Sequence, residues 1–187
     1  MQAPTAFFRL RHSRMSYFAD FAVYPLGIVC ASSFLLRFEP REERLDVAAA
    51  IAGGLLGWSF LEYALHRFLL HGIEPFRSWH LEHHRRPRAL LGIPTVLSAI
   101  LVLALVFLPT LVIGNRWVAT GVTLGVIIGY LGYAWTHHVL HHWNVYTPWL
   151  RSRKRLHRLH HSRHDCEYGV TTSIWDRVFA SRASRAD

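Results

Sequence analysis

The sequence predicts an all-α integral membrane protein, a helical bundle of about four spans under a cytoplasmic, histidine-rich helical cap. Three observations carry that expectation. Of 187 residues, 51% are hydrophobic and only 18% charged, which argues against disorder and against an ordinary soluble domain. Segments 89–115 and 118–136 contain no Asp, Glu, Lys or Arg, and uncharged runs of that length suit a bilayer. Fourteen histidines, finally, crowd into a few short motifs.

The first apolar stretch, 15–36, follows Arg9, Arg11 and Arg14, as a secretory signal would. No small-x-small cleavage site with a soluble domain follows, so an uncleaved span is expected. Asp20 and Pro25 within it predict a helix that tilts, kinks or stops short of the far side. The second stretch, 46–65, contains Glu62 near its end and carries the same expectation. Stretches 94–113 and 117–138 read as full spans, since about 20 residues at about 1.5 Å each cross a hydrocarbon core of about 30 Å. Between them Gly114, Asn115 and Arg116 read as a tight turn, which makes the last two spans an antiparallel hairpin. No linker separates a second domain, and residues 1–187 are expected to form one membrane-embedded unit.

Orientation follows from Lys and Arg outside the spans. Three lie in the N-terminal segment, five in 66–93 and nine in the tail, against four in the two remaining loops. Under the positive-inside rule, seventeen against four places both termini and segment 66–93 in the cytoplasm. A net charge of +9 would suggest nucleic acid in a soluble chain; here it reads as topology, and no nucleic-acid partner is expected. The arginines also suit anionic lipid head groups, at about 1 kcal/mol each. Cys30 and Cys166 make neither a disulfide framework nor a thiolate metal site.

With this topology, every histidine except His12 lies at or beyond the cytoplasmic ends of the spans. In HLEHH (80–84) and HRLHH (157–161) the histidines stand at i, i+3 and i+4, so three imidazoles are expected to converge on a single centre. In THHVLHH (136–142), His137 pairs with His141 and His138 with His142 on adjoining faces, and at most one pair points squarely into a common site. In HRFLLH (66–71) the spacing of five separates the rings on an ideal helix, so the helix is expected to end or loosen there, with Gly72 as a stop. Two HxxHH clusters plus paired histidines on two further helix ends point to metal. Because one ion takes four to six ligands, ten or more histidines imply two ions. Such a centre at lipid-chain depth calls for an apolar substrate. Glu62, one turn before His66, is positioned to accept that ring's other N–H, and Asp165 or Asp176 could do the same for the last cluster. Trp79, Trp143, Tyr146 and Trp149 border the clusters, as a pocket roof or, more commonly, as interfacial anchors.

These motifs, with the closing YGVTTSIWDRVFAS (168–181), resemble the fatty acid hydroxylase superfamily of sphingolipid fatty acid 2-hydroxylases, sterol desaturases and carotenoid hydroxylases. The resemblance runs from about residue 58 to 181 and is nearest the fatty acid 2-hydroxylase branch, through EYALHRFLLH and GVTTSIWD. It implies an oxygen-dependent di-iron enzyme that hydroxylates an alkyl C–H of a lipid acyl chain, in which zinc can replace iron on purification. Carried over by motif, the ligands are His66, His71, His80, His83, His84, His137, His141, His157, His160 and His161. His142 fits an extra family histidine, as ligand or supporting residue, with Glu62 and Asp176 in support, whereas His138 and His164 fall where the family requires none. Family members often carry a fused haem-binding cytochrome domain, for which this chain has no room, so a separate electron donor is expected: a reductase with a cytochrome or ferredoxin. The same centre would also serve a desaturase or a sterol or carotenoid hydroxylase. A membrane metal transporter is the rival of another class, but it needs ionisable residues midway through the spans, and the third and fourth have none.

Overall fold

The computed structural model describes residues 14–183, so Arg9, Arg11, His12 and Arg185 lie outside the described residues. Within them the chain is helical, without a strand. Four segments are long and apolar enough to cross a membrane: Arg14–Phe38, Arg41–Leu70, Thr95–Ile113 and Arg116–His142.

The first comprises α1 (Arg14–Phe18) and α2 (Asp20–Phe38), joined at Ala19. Asp20 and Pro25 therefore do not cut it short. The Asp20 carboxylate is buried and accepts a 2.5 Å hydrogen bond from Tyr130 Oη, the partner an acid at that depth requires. The second span is α3 (Arg44–Ala64), continued by a π-helical turn over Leu65–Leu70. After a short helix α4 (Phe76–Arg85), the third span runs as α5 (Thr95–Val102), a π turn over Leu103–Phe107 and α6 (Leu108–Ile113). Pro109 explains that irregularity, because it has no N–H to return to the preceding turn and its ring crowds that turn's carbonyl. The fourth span, α7 (Arg116–His142), starts where Asn115 Oδ1 accepts from the amides of Trp117 and Val118, both at 2.9 Å. Its 27 residues extend about 40 Å, which exceeds the hydrocarbon core and carries its last turns beyond it. Helices α8 (Pro148–Arg163) and α9 (Ile174–Val178) complete the chain.

The central pair is α3 against α7. Small residues let the two backbones nearly touch: a Cβ on Gly125 would sit 2.1 Å from the Ile51 carbonyl oxygen, and one on Gly54 2.2 Å from that of Val122. Tyr24, Leu35, Val47, Trp117, Leu124 and Ile127 fill the core that α2 makes with this pair. The molecule's two ends are distinct. Asn115 Nδ2 donates to the Glu43 carboxylate at one end, tying the two short loops together. At the other, Tyr17 of α1 meets His138 of α7, and the C-terminal ends of the second and fourth spans bring in the histidines.

Candidate metal centre

The site is assembled from four pieces of helix. The π turn brings His66 and His71 together: the His71 amide bonds the His66 carbonyl at 3.2 Å, and the rings lie 5.2 Å apart. A π turn holds about 4.4 residues, so a spacing of five that an α-helix would splay returns to one side. The helix therefore loosens into a π turn at His66, one of the two outcomes the spacing predicted. Helix α4 supplies His80, His83 and His84, the last turns of α7 His137 and His141, and α8 His157, His160 and His161. Thr147 caps the start of α8 and Pro148 opens it; at its other end His164, at φ 65°, turns the chain out of the helix.

These rings form two adjoining groups. In the first, ligand nitrogens of His66, His71, His80, His84 and His160 all lie within 4.8 Å of one another; in the second, those of His83, His141, His157 and His161 do. His137 joins the second group through its Nε2, 3.2 Å from that of His141. At the seam the rings of His84 and His161 stack at 4.1 Å. The HxxHH motifs thus do not converge on single centres, as their spacing suggested. In α4, His80 and His84 face the first group and His83 the second; in α8, His157 and His161 face the second and His160 the first. Positions i+3 and i+4 differ by about 100° around a helix axis, and a short imidazole cannot erase that angle.

The donor set fits a cation. His66 Nε2 lies 2.9 Å from His80 Nε2, His80 Nε2 3.0 Å from His84 Nε2, and His71 Nε2 3.1 Å from His160 Nε2. In the second group His157 and His141 present their Nε2 atoms 2.8 Å apart. Two nitrogens bound at about 2.1 Å to one ion, at right angles, are about 3 Å apart. The lone pairs can be assigned at two rings. His66 Nδ1 faces the Tyr168 carbonyl at 2.5 Å and His160 Nδ1 the Cys166 carbonyl at 2.8 Å. A carbonyl only accepts, so each Nδ1 carries the proton and each neutral Nε2 turns a bare lone pair toward its neighbours. His83 Nε2 and His161 Nε2 are also buried without a hydrogen-bond partner. Facing lone pairs in a dry site are costly unless a cation lies between them.

Burial, reinforced by the neighbouring imidazoles, holds His71 and His161 down at about 4, and His83 and His160 at about 3. His80, His84 and His157 are lowered in the same way. All are neutral at pH 7, which is the form that binds a metal.

The expected supporting residues behave differently from the sequence reading. Glu62 does not take the second N–H of His66, whose partner is the Tyr168 carbonyl. Its carboxylate instead accepts from the amides of Val170 (2.7 Å) and Thr171 (2.9 Å) and from the Thr171 hydroxyl (2.5 Å). Asp176, fully buried, accepts from the amides of Tyr168 (2.8 Å) and Gly169 (2.9 Å) and from the Ser181 hydroxyl (2.8 Å). Both carboxylates therefore hold the backbone of the segment whose carbonyls meet the rings. Asp165 is exposed. His142 is exposed and stacks on His138 at 4.5 Å, outside both groups, while His138 meets Tyr17 Oη at 3.0 Å. Trp143, Tyr146 and Trp149 are 54%, 80% and 48% exposed, too open to roof a pocket.

The sequence profile of the fatty acid hydroxylase family matches residues 51–181. The chain belongs to the fatty acid hydroxylase family. A dihydroceramide fatty acyl 2-hydroxylase of Arabidopsis thaliana is 36% identical over 147 residues, covering 73% of this chain and 61% of that protein. Fatty acid 2-hydroxylase of Homo sapiens is 33% identical over 139 residues, covering 67% of this chain and 37% of its own. This fatty acid hydroxylase chain thus spans under two thirds of the length of these relatives. The solved structure of full-length scs7p, in which only the hydroxylase domain is visible, superposes with a TM-score of 0.72 at 26% identity, covering 90% of this chain and 67% of that one.

Sequence reasoning missed the carbonyls of Cys166 and Tyr168, because a backbone acceptor leaves no mark in residue type. It also missed Tyr133, stacked on His137 at 5.7 Å, whereas His164, left out on family grounds, lies in neither group. One signal for Tyr133 was available: it stands one turn before His137 on the same face of α7.

Proposed function

We propose that this chain is a membrane-bound non-haem di-iron oxygenase that hydroxylates an alkyl C–H of a fatty acyl or sphingolipid acyl chain. It uses dioxygen and two electrons from a separate donor, a reductase with a cytochrome or ferredoxin. The observation that supports this best is the pair of adjoining imidazole groups at one end of a span bundle in a fatty acid hydroxylase. One ion would be held by His66, His71, His80, His84 and His160, the other by His83, His137, His141, His157 and His161. Iron is the metal this reaction calls for, and zinc can occupy the same nitrogens. When bound, the pair supplies the redox chemistry that no side chain here has, the reductive activation of dioxygen.

The remaining work belongs to the protein. Neutral, largely buried imidazoles would hold the two ions without bringing in negative charge. The backbone carbonyls of Cys166 and Tyr168 hold a proton on the outer nitrogens of His160 and His66, so those rings cannot flip. Burial of His66, His83, His84, His157 and His160 keeps bulk water away from the reacting atoms. The spans set the site against hydrocarbon, where an acyl chain is the abundant C–H donor. The seventeen-to-four charge split supports placing both termini and the histidines on the cytoplasmic side.

Mass spectrometry of acyl lipids from cells expressing the iron-supplied protein tests the reading. Gain of one oxygen atom is the expected product. Loss of two hydrogens would make the protein a desaturase on the same centre, and unchanged lipids would contradict both.

A further inference from the structure

The two histidine groups differ in what stands behind them. Residues 166–171 run along the first group only. Tyr168 and Cys166 offer their carbonyls to His66 and His160, and the Tyr168 ring lies against His66, His71 and His160 at 5.8, 5.4 and 5.3 Å. This strap is itself fastened. Glu62 and Asp176 together take the amides of residues 168 to 171, and Tyr63 Oη, Ser181 Oγ and Asp176 Oδ1 form a chain with steps of 2.9 and 2.8 Å. Arg153, also buried, fixes Ser173 at 2.5 Å. The turn has no slack, since a Cβ on Gly169 would sit 1.9 Å from the Thr172 carbonyl oxygen.

Among the described residues, no such strap backs the second group. His157 Nδ1 is buried without a hydrogen-bond partner, as is His84 Nδ1 in the first group, so the difference between the groups lies in the carbonyls that meet His66 and His160. The backbone acceptor beside His161 is the carbonyl of His84, which belongs to the end of a ligand helix and not to the strap.

Resting on the metal reading above, we infer that the two metal sites are inequivalent. The site of His66, His71, His80, His84 and His160 is preorganised by the strap and binds first and more tightly; the site of His83, His137, His141, His157 and His161 fills second and exchanges. Glu62 and Asp176 are positioning residues for the first site alone. The physical reason is that a ligand with a fixed tautomer and ring angle needs no reordering when the ion arrives.

The test is a zinc titration of metal-stripped full-length protein in lipid nanodiscs, read by competition with a chromophoric chelator. Wild type is expected to bind in two phases. Glu62→Gln and Asp176→Asn should weaken the tight phase by about 10- to 100-fold and leave the weaker one in place. His71→Ala should remove the tight phase and His157→Ala the weaker. If circular dichroism shows that a strap variant has not folded, the His71 and His157 variants decide the assignment. A single phase of two equal ions, the reversed assignment, or strap variants that weaken both phases equally would each overturn the inference while leaving the metal reading intact. No zinc binding at all would overturn both.

Discussion

Asp176 shows how a residue far from the ligands in role can control them. It touches no imidazole, yet its oxygens are spent on the amides of Tyr168 and Gly169, and the Tyr168 carbonyl decides which nitrogen of His66 is free. Gly169 tests this geometry directly. Adding one methyl forces a backbone shift against Thr172, so Gly169→Ala is expected to lower stability by about 1–3 kcal/mol and to lower the zinc affinity of the first group. Thermal unfolding in detergent and chelator competition would measure these two effects; an unchanged melting temperature with full affinity would show that the turn is looser than described. At this scale the sequence revealed identities better than partners. Glu62 stands one turn from His66 and invited a local hydrogen bond, but its acceptor atoms serve amides 108 and 109 positions away. No local spacing encodes such a pairing. His137 and His141 could be preferred over His138 and His142 only through the family, since both pairs have identical spacing.

Helices explain why the histidine motifs look the way they do. An HxxHH motif lying between two centres sends i and i+4 to one and i+3 to the other, and α4 and α8 do this in opposite senses. Helix periodicity was legible; which centre each ring faces depends on the neighbouring helices and was not. The π turn at Leu65–Leu70 is the clearest case of a feature whose effect was visible but whose form was not: the five-residue spacing signalled that an ordinary α-helix could not hold both rings. Inserting one alanine after Phe68 would carry His71 about 100° round the axis. The expected result is loss of the tight zinc phase with the weaker phase retained, read by the same titration; two intact phases would show that His71 is not a ligand. Packing of α3 on α7 makes a separate prediction. Gly125→Leu places a side chain where the Ile51 carbonyl already sits, and should lower the thermal midpoint by several degrees, by a mechanism unconnected with metal. Retention of the wild-type midpoint would mean that the two helices can separate at little cost.

At the level of the whole molecule, the membrane architecture was almost entirely legible. Stretches 15–36, 46–65 and 117–138 each lie within one of the four observed helical segments, and 94–113 exceeds its segment, Thr95–Ile113, by one residue, because apolar length is a property of sequence alone. The other three observed segments are longer, and the second and fourth continue into the histidine groups. The architecture also sets two ends apart, with Asn115 and Glu43 at one and the histidines at the other. Replacing Cys30 and Cys166 with serine and adding Asn115→Cys or Ser162→Cys separately should yield proteins labelled by an impermeant thiol reagent from opposite sides of the membrane, Ser162→Cys from the cytoplasm. Labelling of both from one side would contradict the topology. Most direct for the chemistry is a single-vial experiment: iron-loaded protein purified without oxygen, a reductant, an acyl lipid and isotope-labelled dioxygen, followed by mass analysis of the lipid. The account predicts one labelled oxygen atom in the acyl chain, dependent on iron. Product oxygen drawn from water, or equal turnover by protein holding only zinc, would contradict it.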